Sequence, residues 1–318
     1  MNKLFISTSP HIKSDESTRT IMIDVLFALF PALVMSIIYF GIRAFIITLI
    51  SVVSCVVFEF TYRKLMKKSV SITNASAIVT GLLLAFCLPP TVPFWIPIIG
   101  AFFAIVIVKE LFGGIGKNFV NPALAARAFL FSWVTIMTSF TEPLSDTLTH
   151  ATTLDILKHG KDIATPKVFD MLIGNMSGCL GETAALFLII GGIYLIYRKV
   201  IKWHIPVVYI ATVAALTYLF PRNSSDNAFY FMVTNLLSGG LILGAIFMAT
   251  DYTTTPLTKW GKIIFAFGCG VLTVVFRYYS GNAEGVCFSI LIMNCVSPLI
   301  DKITIPTRYG TGGGAVNV

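Results

Sequence analysis

Residues 21–62 read IMIDVLFALFPALVMSIIYFGIRAFIITLISVVSCVVFEFTY, and this stretch decides the fold. Its charged residues are Asp24, Arg43 and Glu59 alone, and Arg43 divides it into two apolar runs. A helix needs about 20 predominantly apolar residues to cross the hydrocarbon core of a bilayer. The stretch therefore predicts two consecutive transmembrane helices, 21–41 and 43–62.

The composition of the whole chain agrees with a membrane location. Hydrophobic residues make up 56% of the 318 residues and charged residues 12%, whereas an average soluble domain has about 25% charged residues. A soluble fold of this size has no interior large enough to hide so much apolar side chain. These values exclude an ordinary soluble enzyme, a disordered chain and a nucleic-acid-binding protein.

Further apolar stretches of spanning length follow along the chain. They predict an all-α polytopic membrane protein with about ten transmembrane helices in contact with the lipid bilayer. The eight later spans are 73–89, 93–112, 121–140, 181–198, 203–220, 228–250, 261–280 and 284–300.

The basic residues predict the orientation. With the N-terminus in the cytoplasm, sixteen of the 23 Lys and Arg residues fall on the inside and six on the outside. Cytoplasmic loops of membrane proteins carry an excess of Lys and Arg. We therefore expect both termini to be cytoplasmic.

Weak similarity between the two halves indicates an internal repeat. In each half a matching segment, 81–90 or 244–251, precedes a helix that ends in a Gly-rich turn, at 108–118 or 275–285, and each turn leads into another span. Because each half holds five spans, the second copy is inverted, and inverted repeats place ligand and ion sites where the halves meet. The predicted organisation is a cytoplasmic segment 1–20, a first five-helix repeat 21–140, an extracytoplasmic loop 141–178, a second repeat 179–300 and a cytoplasmic tail 301–318.

Ionisable residues in or near the spans are few. Most stand at span ends, where their charged groups can snorkel to the interface. Glu182 and Glu284 each follow a Gly-rich turn, so each carboxylate either caps a helix or has a function. The residues indicate no catalytic group, and the four His have no metal-ligand spacing. The ionisable residues are Asp24, Glu59, Glu110, Arg127, Glu182, Asp251, Arg277 and Glu284.

The connection 141–178 is too long to be a simple linker. It contains Asp146, Thr149, His150 and the pair Thr152 and Thr153. On composition alone this is a solvated polar turn before a short helix with a Ser/Thr-type N-cap.

Several long motifs together identify a family, namely Thr8–His11, Lys109–Pro122, Gly174–Glu182, Gly244–Asp251 and Glu284–Asn294. Through these motifs the sequence resembles the D subunits of Rnf complexes, and it is similar to the B subunit of the sodium-pumping NADH:quinone reductase. The resemblance covers nearly the whole chain. It implies a fold like that of urea transporters and a location in a bacterial cell (inner) membrane.

The resemblance implies a covalent flavin. The family carries FMN joined through its phosphate to a Thr hydroxyl, in a pattern that resembles D-x-x-S/T-G-A-T. Asp146, Thr149, Ala151 and Thr152 match that pattern, and Thr152 is the acceptor, while His150 stands where Gly is usual. The resemblance also allows a second, non-covalent flavin, riboflavin, for which no residues are assigned.

The activity implied is oxidation of ferredoxin with reduction of NAD⁺, coupled to Na⁺ or H⁺ transport. The sequence shows no NAD motif and no iron–sulfur ligands. The resemblance therefore implies that partner subunits carry the iron–sulfur clusters, a flavin of their own and the NAD site. A solute channel or permease of urea-transporter-like architecture is the alternative, and a structural membrane anchor is a third interpretation.

Overall fold

The computed structural model describes residues 17–68, 74–141, 143, 148–149, 152–159, 167–182, 185–222, 227–281 and 285–306. Most of these residues are helical. The α-helices are α1 (Thr18–Leu65), α2 (Ser76–Phe86), α3 (Trp95–Phe102), α4 (Pro122–Leu130), α5 (Val134–Met137), α6 (Thr153–His159), α7 (Val168–Ile173), α8 (Ala185–Tyr197), α9 (His204–Leu219), α10 (Ala228–Leu237), α11 (Leu241–Leu243), α12 (Lys259–Tyr279) and α13 (Val286–Thr304).

Two π-helices, a 3₁₀ turn and a pair of short strands complete the secondary structure of the described residues. α3 continues as a π-helix, Phe103–Glu110, and α11 continues as another, Gly244–Met248. A 3₁₀ turn, Phe131–Trp133, joins α4 to α5. Strands β1 (Phe140–Thr141) and β2 (Leu148–Thr149) form an antiparallel pair of two residues each, with Phe140 opposite Thr149.

The predicted spans 21–41 and 43–62 both lie in α1. The helix begins after Ser17, whose hydroxyl accepts a hydrogen bond from the amide of Thr20 at 3.2 Å. Gly41 interrupts it with φ +70° and ψ −161°, a conformation that residues with a Cβ rarely adopt. α1 is therefore two helices joined at Gly41, close to the division that Arg43 predicts.

Length and hydropathy identify the helices that can cross a bilayer on their own. Within the described residues these are α1, α12 and α13, and a fourth if α10 and the segment Leu241–Met248 are one span bent by 60°. α2, α4 with α5, α8 and α9 are apolar but shorter. The chain is therefore an all-helical, multi-pass membrane protein.

Contacts between helices follow the same pattern in the two halves. α1 packs against α2 and α3, and α9 packs against α10 and α12. α1 meets α8 and α4 meets α13 across the halves. Gly191 in α8 brings α1 close, because a Cβ at Gly191 would lie 2.3 Å from the carbonyl oxygen of Ala28. Small residues permit such close helix contact in membranes.

Candidate functional site

Thr152 stands directly before α6 and caps it. Its Oγ1 accepts a hydrogen bond from the amide of Asp155 at 3.3 Å and donates to Oδ2 of Asp155 at 3.2 Å. The residue is 6% exposed. The structure thus confirms the helix and the Ser/Thr-type N-cap predicted from composition, and the hydroxyl serves a structural contact. The predicted solvation is wrong at Thr152 and Thr153, because both residues are buried.

The rest of the predicted attachment motif is only partly described. Asp146, His150 and Ala151 lie outside the described residues. Thr149 is described as backbone in β2, opposite Phe140. Attachment of FMN at Thr152, with Asp146 and Thr149 in the motif, therefore stays a prediction.

A small cavity of about 20 Å³ beside α6 has a positive lining. Lys158, Arg222 and Arg277 contribute to it, and none of its lining residues is acidic. Burial, followed by the charge of Arg222, lowers the pKa of Lys158, whose ammonium group donates a hydrogen bond to the carbonyl of Ser280. Three cations around one cavity form a region that attracts anions.

The guanidinium of Arg277 is held by main-chain carbonyls. Its Nη1 donates to the carbonyl of Asn235, and its Nη2 donates to that of Ser238 at 3.0 Å. These carbonyls stand at the break between α10 and α11, where a Cβ at Gly239 would lie 2.9 Å from Nη2. Arg277 therefore fixes this break with protein groups as its partners, while Glu284 lies outside the described residues.

Glu182 is buried where two Gly-rich turns meet. Its Oε2 accepts a hydrogen bond from the amide of Cys179 at 3.3 Å, and its carboxylate lies against Gly178. A Cβ at Gly240 would lie 3.4 Å from Oε1. Of the two roles the sequence allows, this geometry favours the local one, because the carboxylate closes the turn that contains it.

A cluster of four buried charges lies between α1 and the π-helix Phe103–Glu110. The Lys109 ammonium donates to Glu59 Oε2 at 2.7 Å and to Ser76 Oγ at 2.8 Å. Arg63 Nη2 lies 3.0 Å from Glu110 Oε1, and its Nε lies 3.7 Å from Glu59 Oε1. The expectation that charges at span ends snorkel to the interface is wrong here, because these side chains are buried and neutralise one another.

A larger cavity of about 110 Å³ lies beside Lys109, between the two halves of the chain. Apolar residues of α1, α2 and α8 line it together with Asn118, Asn121, Thr250 and Asp251. The amide of Thr253 donates to Asp251 Oδ1 at 3.2 Å, and burial raises the pKa of that carboxyl. Apolar walls with a few polar groups are typical of small-molecule sites.

The polar groups around this second cavity have partners that the sequence did not predict. Asn121 Oδ1 caps α4, with the amide of Ala123 at 3.0 Å, and its Nδ2 donates to the carbonyl of Met248 at 3.2 Å. The sequence feature that could have pointed to these residues is the motif Lys109–Pro122. It contains Asn118 and Asn121, but it does not show which distant groups they bond.

Known proteins resemble this chain over nearly its whole length. The sequence profile of the NQR2, RnfD, RnfE family matches residues 5–310. In Acetobacterium woodii, the D subunit of the Na(+)-translocating ferredoxin:NAD(+) oxidoreductase complex is 46% identical over 311 residues, covering 96% of this chain and 95% of that protein. In Clostridium ljungdahlii, the D subunit of the proton-translocating ferredoxin:NAD(+) oxidoreductase complex is 44% identical over 328 residues, covering 98% of this chain and 97% of that protein.

A third relative is more distant. In Halorhodospira halophila, the D subunit of the ion-translocating oxidoreductase complex is 36% identical over 340 residues, covering 95% of this chain and 94% of that protein. Matches of this extent reach nearly from end to end of both chains. The chain therefore belongs to the NQR2, RnfD, RnfE family.

Proposed function

We propose that this chain is the membrane subunit of an ion-translocating electron-transfer complex of the ferredoxin:NAD⁺ oxidoreductase type. The observation that carries the proposal is the nearly full-length identity of 46% and 44% to the D subunits of two complexes with that name. One of these relatives is named for Na⁺ and the other for protons, so the proposal covers either ion. The comparisons favour this function over a solute channel.

We further propose that FMN is esterified to Thr152, within the motif of Asp146 and Thr149. When bound, FMN supplies electron transfer in steps of one or two electrons. Thr152 offers the required hydroxyl. The esterified oxygen has no proton to donate to Asp155, so the Asp155 carboxylate has to turn away when the ester forms.

Cationic side chains beside α6 complement the phosphate of such a group in charge. Lys158 and Arg222 lie there, and α6 begins immediately after Thr152. Charge-assisted hydrogen bonds from Lys and Arg to phosphate are strong. These two residues are therefore proposed to hold the negative charge that the ester brings to the loop 141–178, while Arg277 keeps its main-chain partners.

The larger cavity is proposed to take the second flavin, riboflavin. Its apolar residues, from both halves, suit the faces of a planar ring, while Asn118, Asn121 and Lys109 supply polar groups at its edge. Lys109 donates to Glu59 and Ser76, and a primary ammonium has three protons. The remaining N–H is available to a carbonyl oxygen of a bound ring.

The proposed architecture has ten spans in two inverted sets of five, 21–140 and 179–300. Similar packing supports it, since α1 meets α2 and α3 as α9 meets α10 and α12. The distribution of Lys and Arg supports cytoplasmic termini, 1–20 and 301–318, in the bacterial inner membrane. Partner subunits are proposed to hold the iron–sulfur clusters, a flavin and the NAD site.

Two measurements test the proposal. Membranes that lack this chain should lose ferredoxin-dependent NAD⁺ reduction and the ion transport coupled to it, and both should return with the wild-type chain. Full activity without the chain would contradict the assigned function. The denatured chain from its own host should show flavin fluorescence in a gel, and a dark band would contradict the covalent FMN.

A further inference from the structure

Asn294 carries two polar side-chain atoms for which the described part of the chain provides no hydrogen-bond partner. The residue lies in the middle of α13 and is 1% exposed. Among the residues that the structure describes, it is the one whose side-chain nitrogen and oxygen are both buried without a hydrogen-bond partner. Buried polar groups in folded proteins nearly always have a partner, so such an amide calls for an explanation.

The main chain at Asn294 adds a third polar atom. Pro298 lies inside α13, four residues further on. A proline has no N–H, so it cannot donate the helical hydrogen bond to the carbonyl four residues before it. The carbonyl oxygen of Asn294 therefore lacks its usual helical donor at the level where its side-chain amide is unpaired.

Asn294 lies on the face of α13 that packs where the two halves of the chain are in contact. Cys287 and Ile290 precede it by seven and four residues, and such spacings share one helix face. The thiol of Cys287 donates to the carbonyl of Leu124 at 3.3 Å. A Cβ at Gly244 would lie 3.3 Å from Cδ1 of Ile290. This face of α13 thus packs on α4 and on the π-helix Gly244–Met248.

We propose that Asn294 and the carbonyl released by Pro298 bind a monovalent cation between α13 and these two elements. The inference rests on the proposed function, because it assigns one point of the route of the transported ion. Both oxygens are neutral, whereas Ca²⁺ and Mg²⁺ sites are usually built around carboxylates. Carbonyl oxygens at helix irregularities coordinate Na⁺ in transporters. The Nδ2 protons of Asn294 bind a water molecule that completes the shell of the cation.

The experiment is thermal unfolding of the purified complex in NaCl, with choline chloride at equal ionic strength as the reference. NaCl should raise the Tm of this subunit in a saturable way, because a ligand that binds the folded state stabilises it. Asn294→Leu keeps the shape and removes both polar atoms. It should unfold in choline chloride at the wild-type Tm or above, because an unpaired buried amide is lost, and it should lose the sodium-dependent rise.

A pair of proline variants gives the matched control. Pro298→Ala restores an N–H for the carbonyl of Asn294 and should raise the sodium concentration at half-saturation by roughly ten- to hundredfold, the effect of one bond to a charged group. Pro31 is also inside a helix, α1, and Pro31→Ala should leave half-saturation unchanged. If the Asn294→Leu chain fails to assemble into the complex, the Pro298→Ala variant alone tests the proposed cation site.

Two results would overturn the site. One is a wild-type Tm that rises equally in NaCl and choline chloride, which would leave only a structural water at Asn294. The other is a wild-type sodium response retained in Asn294→Leu or Pro298→Ala. Flavin fluorescence and ferredoxin-dependent NAD⁺ reduction, measured on the same wild-type preparation, report the proposed function separately from this site.

Discussion

The charge cluster between α1 and the π-helix Phe103–Glu110 allows a quantitative test of what holds the first half together. Glu59→Leu would leave the Lys109 ammonium with Ser76 Oγ at 2.8 Å as its remaining partner. Lys109→Met would leave Glu59 with Arg63, whose Nε lies 3.7 Å away. The two substitutions remove the same ion pair, but only the first leaves a buried charge without an opposite charge.

The distances give the size of the difference. With an effective dielectric constant of about 20, opposite charges 2.7 Å apart attract by about 6 kcal/mol, and at 3.7 Å by about 4.5 kcal/mol. Removing one partner of a buried pair costs about 3–5 kcal/mol. We therefore expect a loss of about 4–5 kcal/mol for Glu59→Leu and about 3 kcal/mol for Lys109→Met. The double variant should have about the wild-type free energy of unfolding or a higher one, because neither charge then remains and apolar side chains replace the pair.

The assay is equilibrium unfolding of the purified protein in mixed micelles, followed by Trp fluorescence. The matched control is Arg198→Met, because Arg198 forms an ion pair with Asp24 at 3.1 Å but its side chain is 47% exposed. An exposed pair contributes about 0–1 kcal/mol, so this variant should stay close to wild type. The reasoning would be refuted if Glu59→Leu and Lys109→Met lowered the free energy of unfolding equally. It would also be refuted if the double variant lost the sum of the two single losses, because Glu59 and Lys109 would then not act as a pair.

Three further predictions concern the loop and the packing of the halves. Thr152→Ala should abolish FMN attachment while Thr153→Ala retains it, and mass spectrometry of the peptide that contains both residues decides; unmodified Thr152 in wild-type protein from its own host would contradict the site. A cysteine at exposed Lys167 should react with a membrane-impermeant reagent in intact cells; reaction only after the membrane is opened would reverse the topology. Gly191→Ala should lower the Tm by separating α1 from α8, whereas Gly281→Ala should leave it unchanged, because no atom lies within 4 Å of its added Cβ.

Local patterns predicted the features that depend on local chemistry. The apolar stretch around Arg43 predicted two helices, and Gly41 separates them in the structure. The sequence of the loop predicted a Thr cap, and Thr152 caps α6. Hydropathy and capping are determined within a few residues, so a single sequence contains the information needed.

The sequence alone did not reveal contacts between residues that lie far apart in the chain. The span predicted at 73–89 contains α2, which ends at Phe86. The helix ends there because Pro89 and Pro90 follow, and Pro90 has no N–H to donate to the carbonyl of Phe86. The carbonyls of Phe86 and Leu88 accept hydrogen bonds from the amides of Gly181 and Leu180 at 2.9 and 3.0 Å instead. Those partners stand far along the chain, and the same holds for the pairing of Glu59 with Lys109. The partners of a broken helix end and of a buried charge depend on contacts that no window of sequence contains.

Some helix irregularities in this fold have protein partners for their freed polar groups, and the one at Asn294 has none among the described residues. The two kinds have different meanings. Within a bilayer, a backbone group released from its helix has to find another partner in the protein. The break after α2 satisfies this requirement with Leu180 and Gly181, and the break after α10 does so with Arg277. These breaks are therefore stable as they stand, and a broken helix alone does not indicate a site. Asn294 has no such partner among the described residues, and the cation proposed for it would supply one for its side-chain oxygen.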